Sequence, residues 1–312
     1  MVIMIKNVAG LLLGIGLFLF GIEMMQETSE SLYSEKMKKI IGTLTGSRIK
    51  SVLSGAAVTG VIQSSCATTV MTLGFISSGV MTLENAVGVI MGANIGTTVT
   101  SLLLSFHISS LAPFAVFIGA FIRLFSKSGK LRTVSIFLVA FGLMFGSMSI
   151  MESSMNYFSD AIGQIFENGL GKAGSLLLGF LVTAVMQSSS ATVGILQTAV
   201  KTGLVSTADS LFMLFGQNIG AVVPTLLASL GADKKAKQAA VIHLLFNVIG
   251  TGIFILLSLL TPYPMLLERI EEPKIRISAA HIIFNVGSTF ILLPFSKTLV
   301  KLSEKTVSRN SP

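Results

Sequence analysis

The segment TGVIQSSCATTV, residues 59–70, returns later in the chain as TAVMQSSSATVG, residues 183–194. Gln63 and Gln187 hold the same place in the two copies and are 187 − 63 = 124 positions apart. Each copy places glutamine, serine and threonine inside a long apolar stretch. A polar motif that recurs at a fixed distance indicates that a structural unit was duplicated.

A second motif repeats with the same separation. GANIGTT at 92–98 returns as GQNIGAV at 216–222, and Asn94 lies 218 − 94 = 124 positions before Asn218. Two different motifs that keep one spacing indicate duplication of a unit about this long, rather than chance similarity of one short segment.

The composition is that of a multi-pass protein of the cell membrane, embedded in the lipid bilayer. Of 312 residues, 52% are hydrophobic and only 12% are charged, and the mean hydropathy is +0.82. These values exclude an ordinary soluble domain. The net charge of +8 is therefore interpreted as topology rather than as nucleic-acid binding. A single cysteine, Cys66, excludes an intramolecular disulfide framework, and we expect neither a cofactor nor a transition metal.

The apolar stretches predict an all-α integral membrane protein. A polar, basic segment at 26–50 is expected to form an interfacial helix after the first span. An apolar helix needs about 20 residues to cross the hydrocarbon core. The membrane spans are predicted at 8–25, 84–105, 111–126, 131–151, 208–230, 236–260 and 277–296.

Two segments look different from full spans. Residues 51–79 and 174–203 each consist of two short apolar pieces that meet at the glutamine–serine motif. Pieces of roughly 12 to 15 residues reach only about halfway through a membrane, so each segment is predicted to be a re-entrant hairpin. The spans 84–105 and 208–230 are expected to be broken helices, interrupted at Asn94 and Asn218.

This scheme divides the chain into an inverted repeat. Residues 1–126 form the first repeat, 127–260 the second, and 261–312 the last span and a cytoplasmic tail. Three crossings separate the first span from its counterpart at 131–151, where GLFLFG at 16–21 is echoed as FGLMFG, and an odd number inverts the second copy.

The basic residues predict the orientation. Most of the 22 lysines and arginines fall on one side of this scheme, in segments 36–50, 123–132, 234–237 and 297–309. The positive-inside rule places that side in the cytoplasm. The N-terminus is then outside and the C-terminus is cytoplasmic.

The motifs offer neutral ligands near the middle of the membrane. Hydroxyl and amide groups both donate and accept hydrogen bonds, and no Lys, Arg, Asp or Glu lies at a motif centre. A small oxyanion would be held by hydroxyls, amides and helix N-termini, and sodium by neutral oxygens. The candidate residues are Gln63, Ser64, Ser65, Thr68, Asn94, Gln187, Ser188, Ser189, Ser190, Thr192 and Asn218.

These paired motifs resemble those of the sodium-dependent phosphate cotransporter family, over about residues 8–296. The resemblance implies inorganic phosphate as the substrate and sodium as the coupling ion of a secondary transporter for uptake, which is not an enzyme. The phosphate would be bound by Gln63, Ser64, Ser65, Gln187, Ser188, Ser189 and Ser190. Sodium would be bound or its site supported by Asn94, Thr97, Thr98, Asn218, Thr68 and Thr192.

Three features differ from the family pattern. Cys66 replaces the third serine of the first motif, and Ala221 and Val222 replace two threonines of the second asparagine motif. Many bacterial relatives also carry a C-terminal regulatory domain, which we do not expect in this chain. A cytoplasmic phosphate-signalling accessory protein is a candidate partner.

Other interpretations of the sequence stay open. A membrane phosphate receptor would bind without flux, an intramembrane serine hydrolase would use only one of the symmetric serines, and a channel is a third alternative. Two H-x-x-F-N patterns, at His243–Asn247 and His281–Asn285, are interpreted as helix-to-helix hydrogen bonding rather than pH sensing. Glu23 is expected to be an interfacial carboxylate rather than an ion ligand.

Overall fold

The computed structural model describes residues 2–43, 46–106, 108–165 and 170–309. Over these residues the chain forms fourteen α-helices and no β-strand. They are α1 (Val2–Thr43), α2 (Arg48–Ile62), α3 (Ser65–Ser77), α4 (Leu83–Ser105), α5 (Ala112–Phe125), α6 (Gly129–Ile165), α7 (Gly171–Met186), α8 (Ser189–Lys201), α9 (Thr207–Gly220), α10 (Val223–Ser229), α11 (Lys234–Leu260), α12 (Tyr263–Glu268), α13 (Pro273–Leu292) and α14 (Ser296–Arg309).

Six helical segments are long and apolar enough to cross a membrane, which confirms a multi-pass membrane protein. The expected span at 111–126 corresponds to a shorter apolar segment, Ser109–Phe125, of about 26 Å at 1.5 Å per residue. The orientation of the termini stays a prediction. The six segments are Val2–Ser31, Leu83–Ser105, Gly129–Phe158, Thr207–Ser229, Lys234–Leu260 and Pro273–Ser308.

The interfacial helix expected at 26–50 is helical as far as Thr43, but it is the continuation of the first membrane helix. α1 continues without interruption from the first span to Thr43, because residues 22–41 contain neither glycine nor proline to end it. Its N-terminal half packs closely on α6, where Gly14 faces Met151 and Gly21 faces Met144. Since the numbering rises along α1 as it falls along α6, the two helices are antiparallel.

The expected break at Asn94 is also wrong, since α4 is one continuous helix. Its glycines serve close packing instead: a Cβ atom added at Gly92 would lie 2.0 Å from the carbonyl oxygen of Val52 in α2. The second half repeats this contact. A Cβ atom at Gly216 of α9 would lie 1.9 Å from the carbonyl oxygen of Leu176 in α7. Small residues that let helix backbones touch are typical of membrane interfaces.

The second asparagine span does break, but after the asparagine. α9 ends at Gly220, and α10 begins at Val223 after a two-residue turn. Pro224 is the physical reason, because proline has no N–H to donate to the carbonyl four residues earlier. The break expected at Asn218 therefore lies at residues 221–222, and its cause is the proline rather than the asparagine motif.

A buried glutamine links the two halves of the molecule. Gln197 of α8 donates from Nε2 to the backbone oxygen of Ser101 in α4 at 2.8 Å, and to the hydroxyl of Ser278 in α13 at 2.8 Å. All three residues are buried. Because a buried amide needs partners, this contact fixes α8 against α4 and α13.

Candidate substrate site

Both glutamine–serine motifs interrupt a helix with the same backbone geometry. Gln63 is the C-cap residue directly after α2, with φ 63° and ψ 18°, and Gln187 is the C-cap residue directly after α7, with φ 54° and ψ 19°. These are the two positive-φ residues other than glycine in the described ranges. A left-handed glutamine is strained, and strain of this kind concentrates at functional sites. The predicted helix breaks at Gln63 and Gln187 are therefore present, while their role as tips of re-entrant hairpins stays a prediction.

The serine that follows each glutamine caps the next helix. Ser64 Oγ accepts from the N–H of Ala67 at 3.1 Å, and Ser188 Oγ accepts from the N–H of Ala191 at 3.3 Å. Serine is among the strongest N-cap residues because its oxygen satisfies one exposed N–H of the first turn. Sequence and geometry therefore agree that α3 and α8 begin at these motifs.

A threonine pair joins the two helices on either side of each break. Thr59 donates to Thr68 at 2.9 Å between α2 and α3, and Thr183 donates to Thr192 at 3.0 Å between α7 and α8. All four side chains are buried. Thr68 and Thr192, predicted to bind or support sodium, thus hold the helix pairs together and do not line the cavity described next.

The two breaks meet at one small polar cavity of about 30 Å³. This is room for about two water molecules. The structure thus brings together all seven residues predicted to bind phosphate, from both halves of the chain. The lining residues are Gln26, Gln63, Ser64, Ser65, Cys66, Gln187, Ser188, Ser189, Ser190 and Ala221.

The cavity is electrostatically suited to an anion, although no charged side chain lines it. The first two N–H groups of a helix have no acceptor within the helix. In α3 these belong to Ser65 and Cys66, and in α8 to Ser189 and Ser190, all of which line the cavity. Two helix N-termini therefore present partial positive charge to the same space.

The two glutamines differ in exposure. Gln63 is 8% exposed, and its amide donates to the backbone oxygen of Gly60 and accepts from Thr100 Oγ1 at 2.5 Å. Gln187 is exposed, and its side chain makes no hydrogen bond within the described part of the chain. Gln187 is thus free to contact a ligand, whereas Gln63 is held in place.

Sequence reasoning missed Gln26. This residue of α1 donates from Nε2 to the backbone oxygen of Gln63 at 2.9 Å and lines the cavity. That oxygen belongs to the residue at the first break. Because α1 lies outside the repeated motifs, no spacing argument could have identified Gln26; its only signal was an amide within a membrane segment.

Asn94 and its neighbours do not line the cavity. Asn94 Oδ1 lies 3.2 Å from Nε2 of His243, and Asn94 Nδ2 donates to Asn247 Oδ1 at 3.4 Å. Thr97 and Thr98 donate to carbonyls of their own helix at 3.1 and 2.7 Å. Their predicted support of sodium stays a prediction.

The repeated H-x-x-F-N pattern has a structural explanation. Asn247 of α11 bonds to Asn94, and Asn285 of α13 donates to Asn218 Oδ1 at 3.5 Å. Each pattern therefore supports one of the two repeated asparagines. The interpretation as helix-to-helix hydrogen bonding is borne out by these contacts.

We expect Asn247→Ala to destabilise the protein by about 1–3 kcal/mol, because the buried amide of Asn94 loses its acceptor. Thermal unfolding of the purified protein in detergent measures the effect. Asn85→Ala, on the same helix as Asn94 but outside the buried set, is the matched control and should leave the midpoint unchanged. Equal midpoints for Asn247→Ala and the wild type would contradict the assigned contact.

No group of three or more His, Cys, Asp or Glu side chains within the described ranges could hold a metal ion. The ligands near the breaks are neutral oxygens, which suit an alkali cation better than a transition metal.

Comparisons with known proteins identify the family of this chain. The profile of the Na+/Pi-cotransporter family matches residues 17–153 and 154–267, two consecutive segments that each contain one glutamine–serine motif. This chain belongs to that family. Its members are transporters of phosphate, and the family assignment confirms the resemblance seen in the motifs.

Individual relatives are distant in sequence. "Uncharacterized protein YqeW" of Bacillus subtilis is 25% identical over 91% of this chain and 93% of its own length. "Putative inorganic phosphate export protein YjbB" of Salmonella typhimurium is 24% identical over 97% of this chain, which spans 56% of that protein. "Sodium-dependent phosphate transport protein 2A" of Ovis aries is 24% identical over 57% of this chain and 30% of its own length. No solved structure matches the chain.

Proposed function

We propose that this member of the family is a secondary transporter that couples uptake of inorganic phosphate to a sodium gradient. The observation that carries the proposal is the cavity between the two helix breaks, where the N-termini of α3 and α8 meet. The family assignment supports the substrate, and the printed name of the sheep relative supports sodium dependence.

Phosphate recognition follows from the donors at this cavity. Four backbone N–H groups, of Ser65, Cys66, Ser189 and Ser190, and the serine hydroxyls would surround a tetrahedral oxyanion. Backbone donors explain why Cys66 can replace a serine, because its N–H remains available whatever its side chain. Without a lysine or arginine in the lining, release of the ion is not opposed by a full positive charge.

Alternating access requires the two halves to move relative to one another, and several features support an inverted repeat with re-entrant hairpins. Both breaks have the same backbone geometry, and α1 and α6 are antiparallel. A cavity of about 30 Å³ is also too small for phosphate, so binding would require the breaks to separate. Inverted repeats with a site between them are typical of secondary transporters.

Reconstituted protein tests the proposal directly. We expect radiolabelled phosphate to accumulate in proteoliposomes under an inward sodium gradient, and not under the same gradient of potassium. Protein-free liposomes are the control. Folded protein that binds phosphate but gives no flux with either cation would overturn the transporter in favour of the receptor.

Export is the second candidate, because the Salmonella relative is named as an export protein. The same vesicles, preloaded with phosphate and diluted into buffer without sodium, measure efflux. Net efflux that needs no sodium gradient, without concentrative uptake, would favour the exporter. Uptake that follows the sodium gradient would favour the symporter.

A further inference from the structure

We propose that Glu23 of α1, together with Gln26, Gln187 and Ser188, forms a binding site for a monovalent cation beside the phosphate cavity, and that sodium binds there. The inference rests on the proposed function, and it identifies Glu23 as a ligand of the coupling ion. The repeated sequence motifs contain no carboxylate, so Glu23 adds a charged ligand that the motifs themselves do not supply.

A second cavity, of about 310 Å³, lies next to the small cavity between the two helix breaks. Gln26, Gln187 and Ser188 line both cavities, so the two spaces share one wall. Glu23, one helical turn before Gln26, lines only the larger cavity and is exposed to it. The remaining lining residues are Leu19, Ile22, Met186 and Ala191.

Glu23 is an unpaired carboxylate within a candidate membrane span. It lies in Val2–Ser31 and makes no hydrogen bond or ion pair among the residues that the structure describes. By contrast, Glu152 of α6 pairs with Lys201 at 2.8 Å and with Lys274. Carboxylates at membrane depth are costly and mark ion pathways when they face a cavity. The sequence predicted that Glu23 is an interfacial carboxylate, but in the structure it lies in a membrane-span candidate and faces a cavity.

The chemistry of the lining selects a monovalent ion. One carboxylate and neutral amide and hydroxyl oxygens suit a hard cation, whereas calcium sites usually combine several carboxylates. A cation beside Glu23 would lie next to the anion cavity, where its charge would favour phosphate binding. The coupling is reciprocal, because each bound ion raises the affinity for the other.

Three variants test the site. Glu23→Gln removes the charge and keeps the shape, and Glu23→Asp keeps the charge on a shorter side chain. Glu27→Gln removes an exposed carboxylate one turn further along the same helix, which lines neither cavity. The first readout is thermal stabilisation of the purified protein by sodium chloride relative to potassium chloride, without phosphate. The second is the sodium concentration that gives half-maximal phosphate uptake.

We expect Glu23→Gln to lose the sodium-specific stabilisation and to raise the half-maximal sodium concentration about tenfold or more. Glu23→Asp should show a smaller shift, and Glu27→Gln should behave as the wild type. If Glu23→Gln does not fold, the shift in Glu23→Asp decides. Unchanged sodium stabilisation and unchanged sodium dependence in the variants would overturn the inference.

Two further outcomes separate this inference from the proposed function. If sodium stabilises the wild type but not Glu23→Gln, and neither transports phosphate, the cation site stands and the cotransporter fails. If Glu23→Gln keeps its sodium dependence but loses a pH dependence of uptake seen in the wild type, Glu23 carries a proton, and the sodium site is overturned.

Discussion

Phosphate uptake falls by about 10- to 100-fold in Gln187→Gly, because the exposed amide that we assign to phosphate is lost. Hydrogen bonds to a charged group contribute about 1.5–3 kcal/mol each, and about 1.4 kcal/mol is a factor of ten in affinity. Glycine is the substitution of choice since Gln187 has φ 54°, a conformation that glycine adopts without strain. Initial rates of radiolabelled phosphate uptake in proteoliposomes measure the effect.

Ser188→Ala is the companion variant, and we expect a loss of similar size. It removes both a hydroxyl at the cavity and the cap of α8, which costs about 1 kcal/mol of stability. Ser206→Ala separates the two effects, because Ser206 caps α9 in the same way but does not line the cavity. Uptake at the wild-type rate by both Gln187→Gly and Ser188→Ala would refute the site assignment.

Folded protein is lost or strongly destabilised in Gly216→Ala. The added Cβ atom would lie 1.9 Å from the carbonyl oxygen of Leu176, a backbone atom that cannot turn aside. Overpacking of this kind costs about 1–3 kcal/mol, and more where the two backbones touch. Yield of monodisperse protein and the midpoint of thermal unfolding in detergent measure the loss.

Gly252→Ala is the matched control, since Gly252 lies inside α11 with no atom within 4 Å of an added Cβ. Alanine is favoured over glycine in a helix by up to about 1 kcal/mol, so this variant should keep or raise the midpoint. A Gly216→Ala protein as stable as Gly252→Ala would show that α7 and α9 do not pack as closely as the structure indicates.

Much of the site could be predicted because the glutamine–serine motif is a short, local pattern that occurs twice in the chain. The glutamine–serine motifs contain their own N-cap serine, so the helix starts at Ser65 and Ser189 follow from residue types alone. The constant spacing then indicated a duplicated unit, and the resemblance to the cotransporter family implied that both motifs bind one phosphate. The cavity lined by all seven candidates agrees with that prediction.

The two wrong predictions of where the asparagine spans break concern the roles of glycine and proline. The GANIGTT segment predicts a break at Asn94, yet Gly92 and Gly96 of this segment pack against α2 in a continuous helix. A sequence does not show whether a membrane glycine loosens its own helix or admits a neighbouring one. The second span breaks near Pro224, because proline has no backbone N–H to donate within a helix. This proline could have been identified from the sequence, but the break was assigned to the asparagine motif instead.

The sequence by itself determined the membrane class, the duplication, the two helix breaks and the residues at them, because hydropathy, spacing and capping are local properties of the chain. Only the tertiary structure decided that Gln26 and Glu23 of α1 lie beside Gln187, and that each H-x-x-F-N helix supports one repeated asparagine. The physical reason is that these contacts join helices that are far apart in the sequence. Hydrophobic periodicity shows which face of one helix is buried, but not which other helix packs against that face.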